Sequence, residues 1–156
     1  MLTVRLADED DAPEILAVQR LAFQAMAFRL QRPGFPPLAE ELDDLVRDFS
    51  LSIIFKAVWA GRLVGSVRGT VQGDVCHVRR MSVDPGFHGR GVGSALLAHV
   101  EAGAGPVSRF ELSTSTQNAE AIRLYERRGY VATRTEADSP AGPMVHMERV
   151  NRAGRI

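Results

Sequence analysis

The residues best placed to do chemistry lie between Met81 and Leu97: a strand-like ending, a proline stop at Pro85, a glycine loop, and the start of an amphipathic helix. Glycine at 89, 91 and 93 removes side chains that would hold a ligand's phosphate away from the backbone. The first turn of the following helix adds unpaired N–H donors at the positive end of its dipole. The chemistry predicted here is capture of a phosphorylated ligand by backbone amides. Spacing argues against two common phosphate loops. A Gly-x-x-x-x-Gly-Lys-Ser/Thr loop needs a lysine, and the only lysine of the chain is Lys56. The dinucleotide fingerprint wants glycines at the first, third and sixth positions, whereas these fall at the first, third and fifth, although Glu111 stands near the distance of its acidic partner.

A second segment, Asn118 to Tyr130, reads as a helix over 119–128. Asn118 suits an N-cap, Gly129 a C-terminal stop, and Arg127 and Arg128 the negative end of the dipole. Asn118, Ile122 and Tyr125 are spaced i, i+4, i+7, so they share one stripe that can meet an extended ligand.

In this order, and separated by one predicted strand (109–114), the two segments resemble the signatures of the GCN5-related N-acetyltransferases. One is the Gln/Arg-x-x-Gly-x-Gly/Ala loop, with His88 in place of the Gln or Arg; the other is an Asn followed by a helix carrying Leu124-Tyr125 and closed by Gly129-Tyr130. The resemblance spans nearly the whole chain. It implies an α/β fold: a mixed, mostly antiparallel central sheet of six to seven strands, flanked by about four helices, with a cleft where the fourth and fifth strands splay. It implies acetyl-CoA as acyl donor. The loop residues His88, Gly89, Arg90, Gly91, Val92, Gly93 and Ser94 would then grip the pyrophosphate. Met81, Ser82 and Val83 would offer backbone groups to the pantetheine arm, with Asn118 and Tyr125 beside it.

Acyl transfer from a thioester to an amine needs an unprotonated nucleophile, a donor for the oxyanion, and a proton for the departing thiolate. Tyr125 matches the family's tyrosine, and a phenol of pKa about 10 is protonated at neutral pH and can serve a thiolate of pKa about 8.5. A backbone N–H near Met81 or Ser82 is the expected oxyanion donor. A primary amine is neutral in only about one part in a thousand at pH 7, so a base is expected. Glu111 and His77 are the candidates, and the sequence does not choose between them. The expected function is transfer of acetyl to a small-molecule or peptide amine by direct attack in a ternary complex. The alternative is a non-catalytic acyl-CoA sensor or assembly module, against which Tyr125 argues.

At 156 residues, 45% hydrophobic and 24% charged, the chain is expected to form one acetyltransferase domain over 1–156. A net charge of zero gives no global field for nucleic acid or an anionic membrane, so neither is an expected partner. Cys76 is the only cysteine, which excludes an intrachain disulfide and a multi-cysteine metal site, and no metal is expected. The first ten residues turn acidic without an apolar core, and no apolar run approaches 18 residues, so a cytoplasmic location is expected.

The remaining pattern supplies the elements that must position these groups. Leu2 to Ala7 alternates as a strand, and Asp10 to Phe28 reads as a helix with Pro13 in its first turn. Arg32 to Pro37 breaks that helix, and Leu38 to Phe49 reads as one acidic helix with Leu38, Leu42, Leu45, Val46 and Phe49 inward. Three strands, Ile53 to Trp59, Leu63 to Val71 and Val75 to Val83, follow with hairpin-length links. After the loop come a helix over 91–102, the strand and helix already named, and strands near 130–135 and 144–150. Within Val75 to Val83 the apolar register shifts. A β-bulge explains this, and so does a strand buried on both faces. Acceptor choice is expected in the flap Gln31 to Phe49 and the loop Glu136 to Pro143. The flap carboxylates Glu40, Glu41, Asp43, Asp44 and Asp48 suit either a solvated helix face or attraction of a polyamine, aminoglycoside-like or peptide amine. Edge strands near the C-terminus allow a homodimer.

Overall fold

The computed structural model describes residues 1–31 and 35–151. In chain order the elements are β1 (Leu2–Leu6), α1 (Ala12–Leu30), α2 (Pro36–Ala39), α3 (Leu42–Asp48), β2 (Ile53–Trp59), β3 (Arg62–Gln72), β4 (Val75–Val83), α4 (Val92–Gly103), β5 (Arg109–Ser115), α5 (Ala119–Arg127), β6 (Val131–Ser139) and β7 (Gly142–Val150). The strands make one seven-stranded sheet in the order β1-β2-β3-β4-β5-β7-β6. Neighbours pair antiparallel except β4 and β5, which run parallel. This is the mixed, mostly antiparallel sheet expected.

Local chemistry explains the ends of α1. Asp8 caps the short 3-10 turn before it, accepting from Asp10 N–H, and Pro13 sits in the first turn, where its missing N–H costs nothing. Ile15, Leu16 and Val18 bury its inner stripe with Leu45 of α3 and Ile54 of β2. The larger core lies on the opposite face of the sheet, where Leu96, Leu97 and Val100 of α4 meet Val67, Val78 and Phe110. The sheet therefore has α1, α2 and α3 on one side and α4 on the other.

Two sequence expectations need correction. The predicted helix Leu38 to Phe49 is two pieces, because Glu40 adopts an extended backbone and Glu41 starts α3 through a capping box with Asp44. Leu42, expected inward, is 40% exposed as a result. The expected loop Glu136 to Pro143 is mostly strand: β6 runs to Ser139 and β7 begins at Gly142, with Ser139 opposite Gly142 across a two-residue hairpin. The residues 32–34 of the expected helix break and flap lie outside the described residues.

The register shift in β4 is a bulge. Ser66 faces Ser82 and Arg68 faces Arg79, so two steps on β3 match three on β4, and the extra residue, Arg80, has φ 54°. A left-handed backbone at a bulky residue is strained, and here it sits where β4 turns away from β5.

Candidate active site

β4 and β5 pair over only three rungs, Val75 with Arg109, Cys76 with Phe110, and His77 with Glu111. Beyond His77 and Glu111 the strands part, and the backbone edge of β4 from Val78 to Val83 has no β5 partner. A cavity of about 1340 Å³ opens there, lined by Val78, Met81 and Val83 on one side and Leu112 and Thr114 on the other. That exceeds the 300–1,000 Å³ usual for a small-ligand pocket, so an extended ligand and a second reactant can share it.

The glycine loop closes one end. Asp84 accepts from Gly86 N–H at 2.9 Å and from Arg62 at 2.8 Å, which fixes the turn after β4. Gly89 and Gly91 have φ of 76° and 79°, a conformation that side chains resist, and a Cβ on either would point into open space. Gly91 is the N-cap of α4 with no side-chain cap, and Ala95 N–H is the first to find its helical partner, Gly91 O at 3.0 Å. The amides before it are the unpaired donors that an anion needs. Gly93 acts differently from its neighbours: a Cβ there would meet Leu124 at 3.1 Å, so its absence lets α4 approach α5.

α5 forms a wall. Asn118 Oδ1 accepts from Ala121 N–H at 3.3 Å, as a cap should, while its Nδ2 donates to Met26 Sδ of α1 at 3.3 Å. Tyr125 is buried edge-on against Tyr130, ring centroids 5.9 Å apart, and lines the cavity. Burial pushes its phenol up to about 12. Cys76 is unfit as a nucleophile: it is fully buried, and burial, with help from Glu101, pushes its thiol up to about 11.

Of the residues assigned from sequence, His77, Met81, Val83, His88, Gly89, Gly91, Val92, Gly93, Ser94, Glu111, Asn118 and Tyr125 all line this one cavity. Ser82 and Arg90 do not. Ser82 is buried against β3 with its hydroxyl donating to Arg80 O at 3.2 Å. The Arg90 guanidinium lies over the rings of Trp59 and Phe87, at 5.4 and 5.2 Å, on the outside of the loop. The two base candidates meet only loosely: His77 Nδ1 is 3.8 Å from Glu111 Oε1, and Glu111 Oε2 accepts from Arg109 Nε at 2.7 Å.

Sequence reasoning missed two clusters. On the exposed face of β5 and β7, Ser113 Oγ lies 2.7 Å from His146 Nδ1, and His146 Nε2 lies 3.3 Å from Glu136 Oε2 of β6. Alternation puts Ser113 on the face of Glu111, but nothing local shows that β7 inserts between β5 and β6. The other cluster is the flap anchor. Arg68 is fully buried and donates to Glu40, Asp48 and Gln19 at 2.6–3.0 Å, and Asp48 also accepts from Arg79 at 3.2 Å. Burial opposes ionisation of Glu40, yet the Arg68 and Gln19 hydrogen bonds prevail and hold its carboxyl down at about 2. Two of the five flap carboxylates thus face inward and are neutralised, so the flap is not the free negative surface its sequence suggests.

The Acetyltransferase (GNAT) family model matches residues 16–130. Blasticidin-S acetyltransferase of Streptomyces morookaense is 35% identical over 92 residues, covering 56% of this chain and 65% of that protein. YdhI, an uncharacterised protein of Bacillus subtilis, is 34% identical over 73 residues, 46% of this chain and 44% of its own length. The matches thus span from less than half to about two thirds of these relatives. Among solved structures, PaiA N-acetyltransferase of Thermoplasma acidophilum, in complex with coenzyme A, superimposes with a TM-score of 0.79 at 15% identity, covering 97% and 99% of the two chains. Ribosomal-protein-S18-alanine N-acetyltransferase of Escherichia coli gives 0.78 at 20% identity over 96% and 94%. With a family match over most of its length, and a fold in which β4 and β5 part between a glycine loop and a buried tyrosine, this chain belongs to the Acetyltransferase (GNAT) family.

Proposed function

We propose that the chain works as a single N-acetyltransferase domain, moving acetyl from acetyl-CoA to a primary amine by direct attack within a ternary complex. The observation that carries this is the parting of β4 and β5 beyond His77 and Glu111, with unpaired loop amides at one end of the gap and Tyr125 on its wall. A pyrophosphate fits the amides around Gly89 to Ser94. A pantetheine arm fits the open edge of β4, where it can take the hydrogen bonds of a missing strand. The same edge near Met81 offers an N–H to the oxyanion. The names of related proteins, blasticidin-S acetyltransferase and ribosomal-protein-S18-alanine N-acetyltransferase, support an amine acceptor, small-molecule or peptide.

Two measurements test this. Coenzyme A release, followed by a thiol reagent, is expected with acetyl-CoA and at least one member of an amine panel. Binding of coenzyme A without turnover on any amine would favour a sensor instead. Gly91→Ala is expected to weaken coenzyme A binding at least tenfold in calorimetry, because its methyl group enters the space the phosphate needs. The strained φ should cost the fold only about 1–2 kcal/mol. Unchanged affinity would remove the loop from the binding site.

A further inference from the structure

We propose that Ser113, His146 and Glu136 form a proton relay that serves as the base for the acceptor amine, with Ser113 the group that touches the nitrogen. This rests on the acetyltransferase reading above.

Place is the first reason. Glu111 lies on the last rung at which β4 and β5 still pair, and Arg109 already donates to it. Ser113 is one same-face step further along β5, where β4 has gone, and it lines the gap together with His146. Both residues line the cavity, and Ser113 is the one that lies beside the parted segment, where a thioester between the strands would sit.

Direction is the second. An ionised carboxylate only accepts, so Glu136 takes Nε2–H of a neutral His146 and leaves Nδ1 with its lone pair. Ser113 O–H must then donate to Nδ1, which leaves the serine oxygen's own lone pairs for an incoming N–H. This orientation of an imidazole by a carboxylate behind a hydroxyl is the logic of the hydrolase triad, used here to move a proton and not to form an acyl-enzyme.

The steps balance. An ammonium nitrogen passes one proton to Ser113 Oγ as the serine's own proton moves to His146 Nδ1, giving a neutral amine and an imidazolium beside Glu136. The amine forms its C–N bond at the thioester carbon, the C–S bond breaks, and the leaving sulfur takes the Tyr125 proton. The nitrogen's second proton restores the Tyr125 phenol, and the imidazolium, whose side chain is 22% exposed, releases its proton to water.

Imidazole is the side chain that changes charge between pH 5 and 8, so the relay predicts an acidic limb in the rate profile. The charged groups around His146 are Glu111 from β5, Glu136 and Arg134 from β6, of which Arg134 is the register partner of His146, and Glu148 on β7. Across the cavity stand His77, Arg79 and Arg80 of β4 and Arg29 of α1.

The test compares wild type, Ser113→Ala, His146→Gln and Glu136→Ala in kcat/KM from pH 5 to 9 on an amine active in the panel. Calorimetry with coenzyme A and histidine ¹⁵N NMR accompany it. Ser113→Ala is expected to lose about 100-fold in kcat with coenzyme A affinity unchanged, and His146→Gln to lose the acidic limb as well as rate. In wild type the proton of neutral His146 should reside on Nε2, and Glu136→Ala should shift it toward Nδ1. A wild-type His146 protonated on Nδ1, or a Ser113→Ala enzyme with full rate and the original limb, overturns the relay. Failure of wild type to bind coenzyme A, or binding without turnover on any amine, overturns the acetyltransferase reading instead, and the tautomer still decides the hydrogen-bond chain.

Discussion

Tyr125→Phe is expected to lower kcat about 100-fold or more while leaving coenzyme A affinity within about twofold. The ring is buried on α5 and packs edge-on against Tyr130, and phenylalanine preserves that packing. Among the described residues no protein group hydrogen-bonds the Tyr125 hydroxyl, so its loss should change stability by no more than about 1 kcal/mol. On the proposed mechanism, what disappears is the proton for the leaving thiolate. Because burial raises this phenol to about 12, it stays protonated across the working range. The basic limb of the wild-type rate profile should therefore not fall below pH 10 on its account. Thiol-release kinetics over pH 6 to 10, with calorimetry in parallel, check both points. Undiminished turnover in the phenylalanine enzyme would remove Tyr125 as the acid, and a matching loss of coenzyme A affinity would make it a binding residue only.

Arg68→Ala is expected to cost about 3–5 kcal/mol of folding stability, because it strands Glu40 and Asp48 beside the sheet without their shared cation. For a chain of this size that corresponds to a fall in Tm on the order of 10 °C. The same network sets an acid dependence. Glu40 titrates at about 2 when folded, against a reference of 4.5, so its contribution is complete above pH 4.5 and fades as pH falls toward 2. Denaturant titrations at pH 7, 5 and 3 should show wild type losing stability across the lower interval. Arg68→Ala, with only the Gln19 hydrogen bond and the Arg80 charge left to hold the Glu40 carboxyl down, should show less of that loss. Since Pro36, Pro37 and Asp48 line the cavity, the variant should also raise KM for the amine more than for acetyl-CoA. A stability loss under about 1 kcal/mol would mean that the flap is held by its apolar contacts alone.

The two site segments were legible in the sequence because each is local. A glycine loop before a helix and an asparagine-capped helix with a tyrosine on its inner stripe are set by residues within a few turns, and both form where expected. Of the expected cofactor contacts, the Ser82 and Arg90 side chains point away from the gap, since a strand's alternate residues and a loop's outer face do so whatever their position in a motif, which leaves their backbone groups to serve a ligand. The flap was misread because a helical pattern of leucines does not reveal that Glu40 will leave the helix for an arginine 28 residues away. The bulge stayed ambiguous because periodicity reports a register shift without saying which residue is extra, and the partner strand names it as Arg80.

Local chemistry in the chain thus determined the phosphate-type loop, the tyrosine helix, the meander of β2 to β4 and, through their order, the family. The tertiary structure alone decided what lies on the proposed acceptor side. The order β5-β7-β6 brings His146 beside Ser113 across 33 residues and adds Glu136 from the far edge. Such pairings depend on which strands become neighbours in the sheet, and hydrogen bonds between distant strands leave no period or spacing in the sequence from which to read them.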